Sequence, residues 1–182
     1  MQPQTTKAPE RRDGLASLPV PLDLAPMEAK LVDTPPRGEG WRYEPKWDGF
    51  RCLAFKAGEE VELRSKSGKP LGRYFPEVVA LIAGLPVERL VLDGELMIEV
   101  GGAISFDALQ MRLHPAESRI RKLAEQTPAR FVVFDCLLDG KGGSLLQAPL
   151  SERRRALEAV FARLGEPRDL RLSPGTTDRD QA

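Results

Sequence analysis

The chain has 182 residues, enough for one domain with a sizeable core. Lys plus Arg and Asp plus Glu stand at 27 each, so net charge argues for neither a nucleic acid nor a membrane, and any such partner must be met by local patches. Cys52 and Cys136 lie far apart without CxxC spacing, which excludes a disulfide scaffold. With no apolar run near the ~20 residues of a membrane span and no signal-peptide core, this leads us to expect a soluble cytoplasmic protein.

Eight of the 16 prolines fall in the first 45 residues, behind a polar start. Residues 1–24 therefore read as a flexible extension, followed by an extended lead-in through Pro35-Pro36. Regular structure is expected from Trp41. Residues 41–47 read as a strand, Gly49 as a turn, and 51–56 as the returning strand. Residues 60–64 alternate cleanly and predict a third strand after Gly58. Apolar positions 75, 78, 79, 82 and 85 have a helical period. A strand over 89–100 turns at Gly101-Gly102, and helices follow over 106–113 and 117–125. Residues 130–138 form a dense β-branched and aromatic strand ended by Asp139-Gly140. Ser151 is placed to cap a helix running to Leu164, and a short strand covers 170–172. Antiparallel meanders with interspersed helices predict an α+β domain.

The most informative stretch is Glu44-Pro-Lys-Trp-Asp-Gly-Phe-Arg51. On a strand, Glu44, Lys46 and Asp48 share one face, and a face of acid, amine and acid suits a ligand pocket. A lysine attacks phosphorus only as the neutral amine, so its usual pKa near ~10.4 must be lowered by desolvation or nearby cations. Pro45 and Trp47 are expected to supply apolar surroundings, and Arg51 the cation, once a hairpin at Gly49 returns it beside Lys46. The plainer reading is a solvated edge lysine paired with Asp48.

Further on, Leu92-Asp93-Gly94-Glu95-Leu96 puts Asp93 and Glu95 on one face and both leucines toward the core. These carboxylates can hold ribose hydroxyls or a metal-bound water, or can simply be an acidic strand end. Phe131 and Phe134 lie on opposite faces of their strand, so at most one stacks on a base. Asp135 inside the same apolar run needs a partner. The loop from Arg64 to Arg73 carries four cations among serines and glycines, fit to follow a phosphate backbone without reading sequence, or to stand as a solvated basic turn. Arg153-Arg154-Arg155 reads as the wet face of a helix, and His114-Pro115 as a helix-end turn.

Taken together in this order, the segments resemble the ATP-dependent DNA ligases, especially the bacterial repair type, over roughly residues 25–182. Residues 44–51 look like the family's nucleotidyltransferase motif I with Lys46 as the adenylated lysine, 93–95 like motif III, and 131–137 like motif IIIa. Asp139-Gly140, Leu146, Pro149-Leu150, Arg153-Arg154 and Leu157-Glu158 match the family's pattern after motif IIIa. The resemblance implies a nucleotidyltransferase (adenylation) domain of antiparallel sheets flanked by helices. It implies that Lys46 takes AMP from ATP as a phosphoramidate and passes it to the 5′-phosphate of nicked double-stranded DNA, in repair and recombination. By the same resemblance Glu44 contacts the adenine amine, Arg51 and Glu95 hold the ribose, and Phe134 stacks on adenine. Asp48 assists catalysis, and Asp48 with Glu95 serves a magnesium or manganese ion. Arg64, Lys66 and Arg73 are the candidates for DNA phosphates, Lys66 standing where the family usually has arginine and so lacking its bidentate fork. A monomer that meets other repair proteins and no membrane is expected.

Departures from the family pattern come at the end. The motif IV glutamate, the motif V lysines and an OB-fold domain are not found by residue 182, so the adenylation domain is expected to be partial, to bind ATP weakly and not to seal DNA alone. Capping guanylyltransferases and RNA ligases share the lysine motif, but Glu44 and the loop after Ser65 favour adenine and DNA. A non-catalytic nucleotide- or DNA-binding remnant is the alternative of a different class.

Overall fold

Strand β1 (Phe50–Ala57) is apolar on both faces because both are covered. Cys52 and Ala54 enter one core cluster, while Leu53, Phe55 and Ala57 enter another. In this computed structural model, which describes residues 14–165 and 167–181, β1 is the second strand of a sheet ordered β2-β1-β3-β5-β6. Strand β2 (Glu60–Ser65) returns antiparallel after Gly58, whose φ of +59° favours glycine. Strand β3 (Arg89–Val100) pairs with the other edge of β1 along its whole length. Its far end turns into β4 (Ala103–Ile104). Strand β5 (Ala129–Leu138) lies antiparallel beside β3, and β6 (Leu170–Leu172) beside β5 in parallel. The expected α+β class stands, with this one parallel pair in an otherwise antiparallel sheet.

One face of the sheet is covered by α1 (Pro76–Ala83), α2 (Phe106–Arg112) and α4 (Leu150–Leu164). They contribute Val78 and Ile82, Ala108 and Leu109, and Leu157 and Val160 to the larger core cluster. Between them α3 (Glu117–Gln126) buries Ile120 and Leu123. Arg112 is fully buried, yet its guanidinium meets the Glu77 carboxylate and the Tyr74 carbonyl, so its charge is paired. On the other face, Leu18 and Val20 pack against Phe55, Leu137 and Leu138. The expected extension lies outside the described residues as far as residue 13, and between Leu15 and Leu24 the chain packs its apolar side chains on the sheet. Among the described residues no helix is long and apolar enough to cross a membrane.

Two expectations are corrected. Residues 41–47 form no strand, because β2 and β3 already occupy both edges of β1 and leave no hairpin partner. The segment instead runs to the far end of the sheet, where Tyr43 makes an isolated bridge with Thr176 (2.8 and 2.9 Å). Ser151 does not cap α4: the helix starts two residues earlier, at Leu150, with Pro149 at the cap position and its carbonyl accepting from Glu152 and Arg153.

Gly94 lies on β3 opposite Val133 of β5, next to an irregularity in the ladder. A Cβ there would lie 2.7 Å from the Phe131 ring and closer still to the Val132 carbonyl oxygen, and the paired β5 backbone and the buried ring leave little room to yield. Gly94→Ala is therefore expected to cost about 3 kcal/mol, the upper end of overpacking effects, in the urea unfolding free energy. An unshifted urea midpoint would mean that the two strands part without strain.

Candidate active site

The irregular path of residues 44–48 has a chemical consequence. Glu44, Pro45, Lys46, Trp47 and Asp48 all border one cavity of about 550 Å³, where a strand would have turned alternate residues away. The opposite walls come from Arg51 on β1, Glu95 on β3 and Phe134 on β5, with Lys66 and the lead-in residues 26–29 closing the mouth. Five stretches of sequence are thereby joined at one cavity. Arg51 and Glu95 are direct cross-strand partners.

The motif glycines explain how these stretches meet. Gly49 has an ordinary negative φ, but a Cβ on it would strike the Leu96 carbonyl oxygen and come within 3.0 Å of the Glu95 side chain. That close approach lets the Gly49 amide donate to Glu95 Oε1 at 3.2 Å, which fixes the carboxylate at the cavity wall. Burial holds the Glu95 carboxyl above its usual range, opposed by the Gly49 amide and Arg51 and reinforced by Asp93 and Asp48. The folded state thus holds this proton more tightly than the unfolded chain. Glu95 contributes stability that is full below its ordinary pKa of ~4.3 and lost as pH rises through the folded value. Glu95→Gln keeps an acceptor for Gly49 and removes the titration. We expect the variant to melt above the parent near neutral pH, with the gap closing as pH falls toward about 4. A gap that ignores pH in thermal unfolding would contradict this account.

Asp93 does not itself border the cavity, and its side chain is only 4 % exposed. Arg51 grips it with two bonds, Nε to Oδ1 at 2.6 Å and Nη2 to Oδ2 at 2.8 Å. The same guanidinium lies 4.5 Å from the centre of the Phe134 ring, and Nη2 also donates to the Met27 carbonyl at 3.3 Å. Arg51 therefore spends its charge on Asp93 rather than on Lys46, as the expected hairpin would have had it. Asp93 is also the cross-strand partner of Asp135, a like-charge pairing that would repel. Each acid has its own cation: Arg51 for Asp93 and Arg153 for Asp135, the latter at 2.8 Å.

Lys46 is exposed at the cavity edge, and among the described residues no carboxylate lies within ion-pair distance of it. The expectation that Pro45 and Trp47 would bury it is not met. Trp47 turns its indole N–H to Ser173 Oγ at 2.9 Å, and Pro45 is itself exposed. Of the two phenylalanines, Phe131 is fully buried in the core and Phe134 is the one that reaches the cavity.

An open groove of about 1080 Å³ adjoins the cavity and shares Arg51, Glu95, Lys66 and Glu28 with it. Lys66, Lys69 and Arg73 line this groove. Lys66 is exposed and pairs with Glu28 at 3.1 Å, and Arg73 donates to the Pro115 carbonyl at 2.8 Å. Arg64 borders neither space: it pairs with Glu62 at 2.9 Å and donates to the Gly68 carbonyl, bracing the turn that carries Lys66. His114 caps its own turn by accepting from the Ala116 amide.

The reading of residues 153–155 as a wet helix face fails for two of the three. Arg153 and Arg154 are buried against the back of the cavity, on Asp135 and on Glu44 respectively, and only Arg155 faces solvent. The lone Asp135 in an apolar strand was the available signal that a buried cation had to exist nearby.

A mostly antiparallel sheet whose strands bring an arginine, an acid and an aromatic ring to one cavity, met there by the lysine and acids of the irregular segment 44–48, defines an adenylation-type α+β domain. The model of the ATP dependent DNA ligase domain matches residues 26–180, and the chain belongs to that family. It is 47 % identical over 161 residues to DNA ligase C2 of Mycolicibacterium smegmatis, covering 88 % of this chain and 44 % of the relative. It is 46 % identical over 163 residues to DNA ligase C of Mycobacterium tuberculosis, covering 88 % and 45 %. Among solved structures, the mycobacterial DNA ligase D complexed with ATP and MES superposes with a TM-score of 0.57 at 29 % identity, over 74 % of this chain and 39 % of that one. The chain thus spans less than half the length of each of these relatives.

Proposed function

We propose that the 550 Å³ cavity is an ATP site in which Lys46 accepts AMP, as the first step of sealing nicked DNA in repair. The observation that carries this reading is the convergence of Glu44, Lys46, Asp48, Arg51, Glu95 and Phe134, spread over 91 positions, onto one cavity. That a related ligase D is described in complex with ATP supports it.

In this reading the Lys46 amine forms a bond to the α-phosphorus while the bond to the pyrophosphate oxygen breaks, and the amine loses a proton. The exposed position of Lys46 at the cavity edge gives the triphosphate access to it and leaves room for pyrophosphate to depart. Phe134 offers a face to the base and Glu44 an acceptor for its amine. Glu95, fixed by Gly49, holds a ribose hydroxyl or a metal-bound water. Arg51 holds Phe134 and Asp93 in register and reaches the ribose side of the cavity.

The donor set fits a hard divalent cation. Asp48 and Glu95 border the same cavity and feel each other's charge, and magnesium is typically held by one or two carboxylates plus substrate phosphates. Among the described residues no cluster of three or more His, Cys, Asp or Glu is placed to form an all-protein metal cage, which agrees with that mode. When bound, such an ion would neutralise charge building up on the phosphates. The adjoining groove, lined by Lys66, Lys69 and Arg73, supplies phosphate contacts for the DNA strand that receives AMP. Arg64 acts behind it by holding the turn.

Incubation with ATP labelled at the α-phosphate and magnesium tests the reading. Label should survive denaturing electrophoresis, disappear on mild acid treatment as a phosphorus–nitrogen bond does, and map to Lys46. Label from GTP in preference to ATP would favour a capping-type enzyme instead, and label on any other residue would overturn the assignment.

A further inference from the structure

Arg154 is given no role in the chemistry above, yet its side chain is only 7 % exposed and bonds three partners at the back of the cavity. Nε donates to Glu158 Oε1 at 2.7 Å, Nη2 to the Ser173 carbonyl at 2.9 Å, and Nη1 to Glu44 Oε1 at 3.4 Å. Arg42 Nε stands 3.4 Å from the same Glu44 oxygen, and its Nη2 lies 3.6 Å from Glu158. Both cations therefore converge on Oε1 of Glu44. Oε2 accepts no hydrogen bond from the described residues, on a side chain that borders the cavity.

No strand ladder holds this segment. The backbone of residues 41–47 is fixed by the Tyr43–Thr176 bridge and by Trp47 on Ser173, and Arg154 ties the same 173–176 stretch to α4. The direction of Glu44 thus depends on α4. The preceding residue, Arg153, ties Asp135, next to Phe134, to the same helix.

We propose that Arg154 is a positioning residue for Glu44 and sets the base preference of the cavity. By occupying Oε1 it aims Oε2 at the cavity to accept from the exocyclic amine of a 6-aminopurine. A base without that amine leaves the carboxylate oxygen desolvated and unpaired, and a 6-oxo base opposes it with another acceptor. The planar guanidinium suits this task because one fork holds Glu158, Ser173 and Glu44 in fixed mutual directions. The proposal rests on the reading of the cavity as an ATP site.

The test is equilibrium binding, by calorimetry, of ATP and of purine riboside 5′-triphosphate, which lacks the 6-amino group. The chain is compared with Arg154→Met, Arg154→Lys, Glu44→Ala and the Glu44→Ala, Arg154→Met double variant. The unchanged chain should prefer ATP by about tenfold, the worth of one well-made hydrogen bond to a charged acceptor. In Arg154→Met the preference should fall toward one, through weaker ATP binding with the purine analogue little affected. Lysine should restore part of it, having the charge but not the fork. In the Glu44→Ala background Arg154→Met should leave the ratio where it was. Equal weakening of both nucleotides would mean that Arg154 only supports the fold, and would overturn the proposal. Should thermal unfolding show that Arg154→Met does not fold, Arg154→Lys carries the test, and an unchanged ratio there overturns it too. Wild-type binding of both nucleotides with equal strength would leave the ATP reading standing and sink this one, whereas binding of neither would sink both.

Discussion

Lys46→Ala is expected to abolish all covalent AMP uptake that the unchanged chain shows, a loss of at least ~10³-fold as for removal of other covalent nucleophiles. Among the described residues no neighbouring amine is placed to substitute. Lys66 also borders the cavity, but it is paired with Glu28 across the mouth and sits on the turn after β2. Lys46→Arg should be equally inactive, because a guanidinium stays protonated and cannot attack phosphorus. Neither change should disturb folding, since Lys46 is exposed and no carboxylate among the described residues depends on it. The measurement is label retained from α-phosphate-labelled ATP, alongside a thermal melt matching the parent. Undiminished label in either variant would mean that the nucleophile lies elsewhere.

Arg51→Met should carry the largest cost to folding among the cavity residues, about 3 kcal/mol in urea unfolding, the lower end for breaking a buried ion pair because Arg51 is itself about a quarter exposed. The reason is what remains behind. Asp93 would keep a carboxylate that is almost wholly buried, with Asp135 as its cross-strand neighbour and no cation. Burial already holds the Asp93 carboxyl above its usual range, and Arg51 is what restrains that rise. Without the arginine the rise is larger. A carboxyl whose folded pKa is raised contributes stability below its unfolded value of ~3.9 and loses it as pH climbs through the folded value. The deficit of Arg51→Met should therefore be greatest near neutral pH and shrink on acidification. The double variant Arg51→Met, Asp93→Leu should recover much of the loss, since removing both partners leaves no orphaned charge. If the double variant is as unstable as the single one, the pair is not what Arg51 contributes. ATP binding should weaken in both, because Phe134 loses the guanidinium stacked 4.5 Å away.

Much of the secondary structure was legible because each element obeys a simple period. Residues 89–100 and 130–138 are dense in β-branched and apolar side chains, and they are the two central strands β3 and β5. Apolar spacing also located α1 and α4 to within a few residues, and the segments read as helical over 106–113 and 117–125 are α2 and α3. The stretch 41–47 misled because its alternation of polar and apolar residues has a cause other than a sheet. Tyr43 and Trp47 reach Pro36 and Ser173, while Glu44 and Lys46 line a cavity. Strand pairing is a property of two segments, and the partner edge was already filled by β3.

By itself the sequence determined which chemistry is present: a lysine flanked by acids, a second pair of carboxylates around a glycine, and an aromatic strand, in an order that identifies a family. It also made the two glycines necessary, although only the packing shows why, with Leu96 and Val132 backbone standing where side chains would be. What the tertiary structure alone decided is the allotment of charges. Arg51 serves Asp93, Arg153 serves Asp135, and Arg154 with Arg42 serves Glu44, leaving Lys46 at the rim. Local spacing cannot reveal such pairings. A buried ion pair is settled by which distant carboxylate and which guanidinium lose water together, and that depends on how the helix, the sheet and the final strand come to pack.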